Sequence, residues 1–215
     1  MKLITSTVTL INLVNHCFDF VIDNSAIYRI DESHALKHSM EVFGYAKKIY
    51  DAEVIKSPYI ENQKEIIYSA AIGHDMCDKK YMDEKEGIVR YQLHLSDYMT
   101  PSDLEIMGNI IGTMSYSKVK VNGYPDLGEY QLAYHIVREA DLLAAYDIDR
   151  CIMYDMFRNH SYYSEAVEEA FKIFDKRILK MRKHNLFKSD YAKKESLKLQ
   201  RKANKDVENL KKWLL

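Results

Sequence analysis

Glycine and proline are scarce in this chain, seven and three in 215 residues. That excludes a turn-rich all-β fold and favours helices joined by short connections. Only three cysteines occur, Cys17, Cys77 and Cys151, and no two are spaced as CxxC. Neither a disulfide framework nor a zinc ribbon is indicated, and a reducing cytosol is the default compartment. No apolar run approaches the ~20 residues of a membrane span. The first residues are fairly apolar, but Thr5, Ser6, Thr7, Thr9 and Asn12 interrupt them and no small-residue cleavage site follows, so a secretory leader is not expected. Internal repeats and low-complexity segments are missing too. Seventeen tyrosines are present, but scattered, and they suggest no aromatic cage.

What remains is a globular balance of 47% hydrophobic and 29% charged residues, enough for one substantial core. The net charge of -1 hides an asymmetry: residues 172–215 hold 15 basic against 5 acidic side chains, and the rest is acidic. Such a basic end either contacts a polyanion or forms a solvated helix face complementing an acidic body. An apolar stripe at Leu199, Ala203, Val207, Leu210 and Leu214 favours the second reading and predicts a helix from about Asp190 to Leu214, packed on the domain.

Helices are also expected over residues 10–22, from Asp31-Glu32-Ser33 onward, before His74, and from Thr100 or Ser102 to about Met114. In the second of these, Leu36, Met40, Phe43, Ala46 and Tyr50 form the apolar stripe, widened by Val42 and Ile49. Residues 131–158 read as one or two buried helices, and residues 164–183 as one amphipathic helix. Loops are expected around Pro58, over residues 79–87, and at Asn122-Gly123-Tyr124-Pro125. The expected fold class is a single all-α bundle.

The chemistry-bearing feature is His74-Asp75, which follows the buried-looking run from Ile66 to Gly73. A carboxylate and an imidazole at the end of a buried helix are costly unless something satisfies them. His34 and His38, four apart, share a helix face upstream. Asp141 sits in another apolar stretch, Ala140-Asp141-Leu142-Leu143. Each alone reads as a hydrogen-bonded structural residue. Together they offer imidazole and carboxylate without thiolate, a mix that suits Mn, Mg, Fe, Ni or Zn with positions left for water.

The order His, His-Asp, Asp resembles the HD superfamily of metal-dependent phosphohydrolases. His38-Ser39-Met40-Glu41-Val42 is similar to the family's first ligand helix, and Ala70-Ala71-Ile72-Gly73-His74-Asp75 to its His-Asp helix. Asp78-Lys79-Lys80-Tyr81, Met114-Ser115-Tyr116-Ser117-Lys118 and Ile136-Val137-Arg138-Glu139-Ala140-Asp141 resemble segments of a bacterial subgroup that contains nucleotide pyrophosphatases. Phe174-Asp175-Lys176-Arg177-Ile178 resembles its Phe-x-x-Lys-Leu less closely. Glu139 departs from the pattern, which has Asp there, and Leu142-Leu143-Ala144-Ala145-Tyr146 replaces a Gly-rich run.

The resemblance implies an HD-type domain over residues 31–215, preceded by a helical extension over residues 1–30. It implies one divalent metal held by His38, His74, Asp75 and Asp141, and a phosphate substrate, most naturally a nucleotide. Asp78 is then the candidate general acid or base, if the helix carrying His74 continues that far, weighed against a helix-end or loop carboxylate paired with Lys79. Lys79 and Lys118 are candidates for phosphate contact, weighed against solvated surface lysines. His34 is a candidate substrate or supporting group, and Arg150 reads as a structural arginine before a phosphate ligand. No membrane partner is implied, a nucleic acid is not favoured, and a homodimer is left open. The alternatives are a non-catalytic module binding nucleotide or metal as a regulator, and a helical scaffold using its basic last helix.

Overall fold

A computed structural model describes residues 2–214, with side chains described from Thr9 onward. The described residues form ten α-helices and short 3₁₀ turns, with no strand among them. In chain order the helices are α1 (Lys2–Tyr28), α2 (Leu36–Glu53), α3 (Lys64–Gly73), α4 (Glu84–His94) and α5 (Pro101–Thr113). They continue with α6 (Tyr116–Asn122), α7 (Gln131–Ala144), α8 (Ile148–Asn159), α9 (Tyr163–Lys176) and α10 (Asp190–Leu214). The fold is all-α, as the composition implies. No described helix is long and apolar enough to cross a membrane.

α3 lies at the centre. Every residue from Ile66 to Gly73 is buried, so this helix is apolar all round and needs neighbours on every side. α1, α2, α5 and α7 supply them. α1 contributes Leu13, Cys17, Phe20 and Val21 to the same continuous core. It is longer than the stretch legible in the sequence, running on past residue 22 to Tyr28. Near its end, the Asn24 amide donates to the Met76 carbonyl at 2.7 Å, tying α1 to the turn after α3.

α2 is rotated relative to the stripe expected from sequence. Met40 is 58% exposed, whereas Val42, Ala46 and Ile49 are fully buried, together with His38 and Ser39. The reason is that α2 packs on both α3 and α7, and the face between those two neighbours runs through His38 and Val42.

Several boundaries differ from the sequence reading. The expected loop over residues 79–87 ends early, because α4 begins at Glu84; the Asp83 side chain caps it by accepting from the Glu86 amide at 3.0 Å. Pro58 opens a 3₁₀ helix, Pro58–Gln63, rather than a loop. The expected helix over residues 164–183 stops at Lys176, and a 3₁₀ turn follows over Ile178–Lys180. Phe174, Ile178 and Met181 are all buried, so apolar spacing continues through the break and conceals it. The helix expected from Asp31-Glu32-Ser33 begins later, at Leu36, after a turn. Other expectations hold. Thr100 caps α5, accepting from the Asp103 amide at 3.2 Å. Gly123, at φ +76, ends α6. Residues 131–158 resolve into two helices, and α10 has the expected bounds.

α10 lies on the domain through buried Ala203 and Val207 and half-buried Leu199, Leu210 and Leu214. Its start is anchored by Glu139 of α7. That fully buried carboxylate accepts from the Lys188 amide (2.6 Å), the Ser189 amide (3.1 Å) and the Ser189 hydroxyl (2.6 Å). Burial pushes the Glu139 carboxyl above its ordinary value, and these donors pull against it.

Two predictions follow from packing. A Cβ on Gly73 would lie 2.2 Å from the Tyr91 ring, whose hydroxyl donates to the Ser69 carbonyl at 2.9 Å. Gly73→Ala therefore overpacks a buried contact, and denaturant unfolding is expected to show a loss of ~1–3 kcal/mol. The second concerns acid. His135 is held down at about 4 by burial and then by Arg138 and Lys188. Between pH 6.5 and 4 the unfolded chain takes up a proton here that the folded chain refuses, so stability falls as pH falls. His135→Gln is expected to shrink the stability difference between pH 7 and 4.5 by up to ~2 kcal/mol, measured by urea unfolding at both values.

Candidate metal centre

Three elements bring donors to one point. His38, in the first turn of α2, projects from the buried face toward α3 and α7, with its side chain fully buried. α3 ends at Gly73, and the chain tightens into a 3₁₀ turn over His74–Cys77. That turn carries His74 and Asp75, with side-chain exposures of 3% and 15%. Asp141 comes from the last turn of α7.

The His38 and His74 Nε2 atoms lie 3.2 Å apart. Asp75 Oδ2 is 3.2 Å from the first and 3.3 Å from the second. Asp141 Oδ1 is 3.6 and 3.7 Å from the same two nitrogens. Donors ~2.0–2.2 Å from one ion sit ~3.0–3.6 Å apart in octahedral or tetrahedral geometry, so these spacings fit a metal. His38, His74 and Asp141 form one group, with ligand atoms all within 4.8 Å of one another. Asp75 approaches the two imidazoles at least as closely. The His74 Nδ1–H donates to the Ala71 carbonyl at 2.9 Å, which directs Nε2 toward the cluster.

Electrostatics agree with the geometry. Burial alone would lower the His74 value, but Asp75 and Asp141 outweigh it and raise it to about 10. Burial works the other way on the two carboxyls. His74 pulls Asp75, and His38 with His74 pulls Asp141, well below the usual carboxylate range. The centre thus presents two anionic oxygens at a desolvated point, the environment in which a divalent cation binds well. The described residues fit such an ion.

The centre opens on a cavity of about 310 Å³. Asp75 and Asp141 form part of its lining, whereas His38 and His74 lie behind it; His34, Asp78, Lys79, Lys118 and Arg150, all singled out in the sequence, line it too. Their states differ. The helix does not continue to Asp78, which is extended at φ −68, ψ 134. Its Oδ1 accepts from the Lys80 amide at 2.9 Å, and its Oδ2 lies 3.5 Å from the Lys80 ammonium. The partner is therefore Lys80 rather than Lys79, which is exposed at the rim. Lys118 is engaged with Glu84 and with the Gly112 carbonyl at 2.6 Å.

His34 is neutral, held at about 4 by burial against the pull of Asp75. The Lys80 ammonium donates to its Nε2 at 3.2 Å, so Nδ1 carries the proton and donates to the Ser33 hydroxyl at 2.6 Å. Arg150 Nε donates to the Ser33 carbonyl at 2.7 Å, while Nη2 lies 3.9 Å from Asp75 Oδ2. Sequence reasoning missed Lys80, Tyr154 and Arg177, which also line the cavity. Two of them lay inside segments already noted, Asp78-Lys79-Lys80-Tyr81 and Phe174-Asp175-Lys176-Arg177-Ile178. Tyr154 had no local signal.

No protein-family model matches the chain, and neither does a curated protein or a solved structure.

Removing one donor leaves the others buried and opposed, so the ion is expected to be lost before the fold. His74→Ala and Asp141→Ala should weaken metal binding by ~100-fold or more, since even supporting contacts are worth ~10–100-fold. Elemental analysis after dialysis checks this; near-stoichiometric metal in both variants would remove the site.

Proposed function

We propose that the chain is a divalent-metal-dependent phosphohydrolase of the HD type, acting on a nucleotide or a related phosphate ester or anhydride. The observation that carries this reading is that Asp75 and Asp141, each beside the buried imidazoles of His38 and His74, line the wall of a cavity that also holds five cationic side chains. Carboxylates select a cation, and the cations select an anion, so the cavity favours a substrate that meets both. Phosphate groups do so.

His38, His74, Asp75 and Asp141 hold the metal in this reading. A bound divalent ion neutralises phosphoryl charge and makes water nucleophilic near neutral pH. The other tasks fall to the chain. Asp78, kept in place by Lys80, takes a proton from the attacking water at a carboxylate oxygen and returns it to the leaving group. Arg150 steadies the loop before α2 through the Ser33 carbonyl and faces Asp75, which orients a ligand. Lys79 at the rim attracts the substrate as a point charge.

The test is a panel of nucleotides and other phosphate compounds assayed with Mn²⁺, Mg²⁺, Ni²⁺ and Co²⁺ for released phosphate and pyrophosphate. Turnover with at least one metal is expected. Asp78→Asn should keep its metal and lose ~10²–10⁴-fold in kcat, the usual range for a lost acid–base group. Wild-type turnover in that variant would reduce Asp78 to a structural role. No turnover by metal-loaded wild type on any compound would leave the binding-module alternative.

A further inference from the structure

Among the described residues, no side chain or carbonyl accepts a hydrogen bond from the Arg177 guanidinium. Its guanidinium lies over the Tyr116 ring, 4.1 Å from the centroid. Its Nε is enclosed and has no hydrogen-bond partner. Among the described residues it makes no ion pair within 4.0 Å. Leaving a buried cationic donor unpartnered is costly, so the position calls for an anion.

The other cations of the cavity are committed or solvated. Glu84 and the Gly112 carbonyl hold Lys118, Asp78 and His34 hold Lys80, and the Ser33 carbonyl holds Arg150. Lys79 is free but exposed. Arg177 alone is both enclosed and uncommitted. The break after α9 puts it there: the backbone leaves the helix at Arg177, φ −128 and ψ −63. The side chain then meets Tyr116 of α6 on the cavity wall, where burial lowers its pKa from the ordinary arginine value and Asp141 is the first of the charges that pull the other way. Stacking occupies a face of the guanidinium, and no acceptor among the described residues takes its Nη edge. That edge matches two oxygens of a tetrahedral oxyanion.

We propose that Arg177, seated on Tyr116, is the anion subsite of this cavity and binds the oxygens of the substrate's phosphoryl group opposite the carboxylates of the metal centre. The inference rests on the phosphohydrolase reading for its substrate, but the subsite is testable without turnover. In the bland reading, Arg177 only staples the end of α9 to α6.

The probe is inorganic phosphate, titrated by calorimetry into zinc-loaded protein. Arg177→Met is expected to retain helicity and metal content while losing phosphate affinity by ~10–100-fold, the range for a charge-assisted contact. Tyr116→Phe keeps the ring and should bind phosphate as wild type does. Arg177→Lys keeps the charge but not the fork, and should fall between wild type and Arg177→Met.

A second measurement covers the case in which Arg177→Met does not fold. The Nε–Hε resonance of Arg177 in wild-type protein, assigned by its loss in Arg177→Lys, is expected to shift on phosphate saturation. A resonance that stays put while phosphate binds overturns the subsite. So does unchanged affinity in Arg177→Met, or wild-type protein that binds no phosphate at millimolar concentration. The two readings fail separately. Phosphate bound through Arg177 without turnover of any substrate removes the phosphohydrolase and keeps the subsite. Turnover with Arg177-independent phosphate binding does the reverse.

Discussion

The site depends on holding the half-buried carboxylates of Asp75 and Asp141 against the buried imidazoles of His38 and His74. Two carboxylates withdrawn from water at one point repel each other and lose hydration. His38 and His74 offset part of that penalty at 3.2–3.7 Å, and a cation would offset more. The arrangement survives only if α2, the turn after α3, and α7 hold their positions to a fraction of an ångström. α3 does this by being apolar on every side, so its neighbours grip it from all directions. Gly73 adds a local clamp, because only a residue without a Cβ admits the Tyr91 ring beside the turn that carries the donors.

The same reasoning explains what the sequence disclosed. Histidines and aspartates inside apolar runs stand out because their burial demands a partner, and His38, His74, Asp75 and Asp141 do meet. The stripe of α10 was legible because that helix has one dry face. The register of α2 was not, since its buried face carries His38 and Ser39, which a hydrophobicity pattern scores as outward. α4 was hidden by its polar start and by a buried face reduced to Gly87 and Tyr91. The end of α9 was masked by apolar residues that keep helical spacing across a 3₁₀ turn. Tyr154 reaches the cavity by tertiary placement alone, and no local pattern marks it.

The cavity wall shows how charge is apportioned once the fold is set. Lys118, a candidate phosphate contact in the sequence, is paired with Glu84, and Lys80 with Asp78 and His34. Such pairs hold the wall in shape and subtract from its attraction for a ligand. What is left over, at Lys79 and Arg177, is a smaller and more directional positive field than the count of basic residues suggests.

Glu139 gives the departure from the family-like pattern a physical meaning. Its carboxylate faces the start of α10, not the cavity, and takes donors from Lys188 and Ser189, some 50 residues downstream. The consequence is one of timing. As the chain is synthesised, α7 emerges with Asp141 in place, but Glu139 two residues earlier has no donors until Ser189 follows. At ~5–20 residues per second, that interval is on the order of 3–10 s. During it, the nascent helix bearing a metal donor carries a carboxylate it cannot yet bury. The segment that satisfies Glu139 is thus made after every ligand of the centre and supplies none of them.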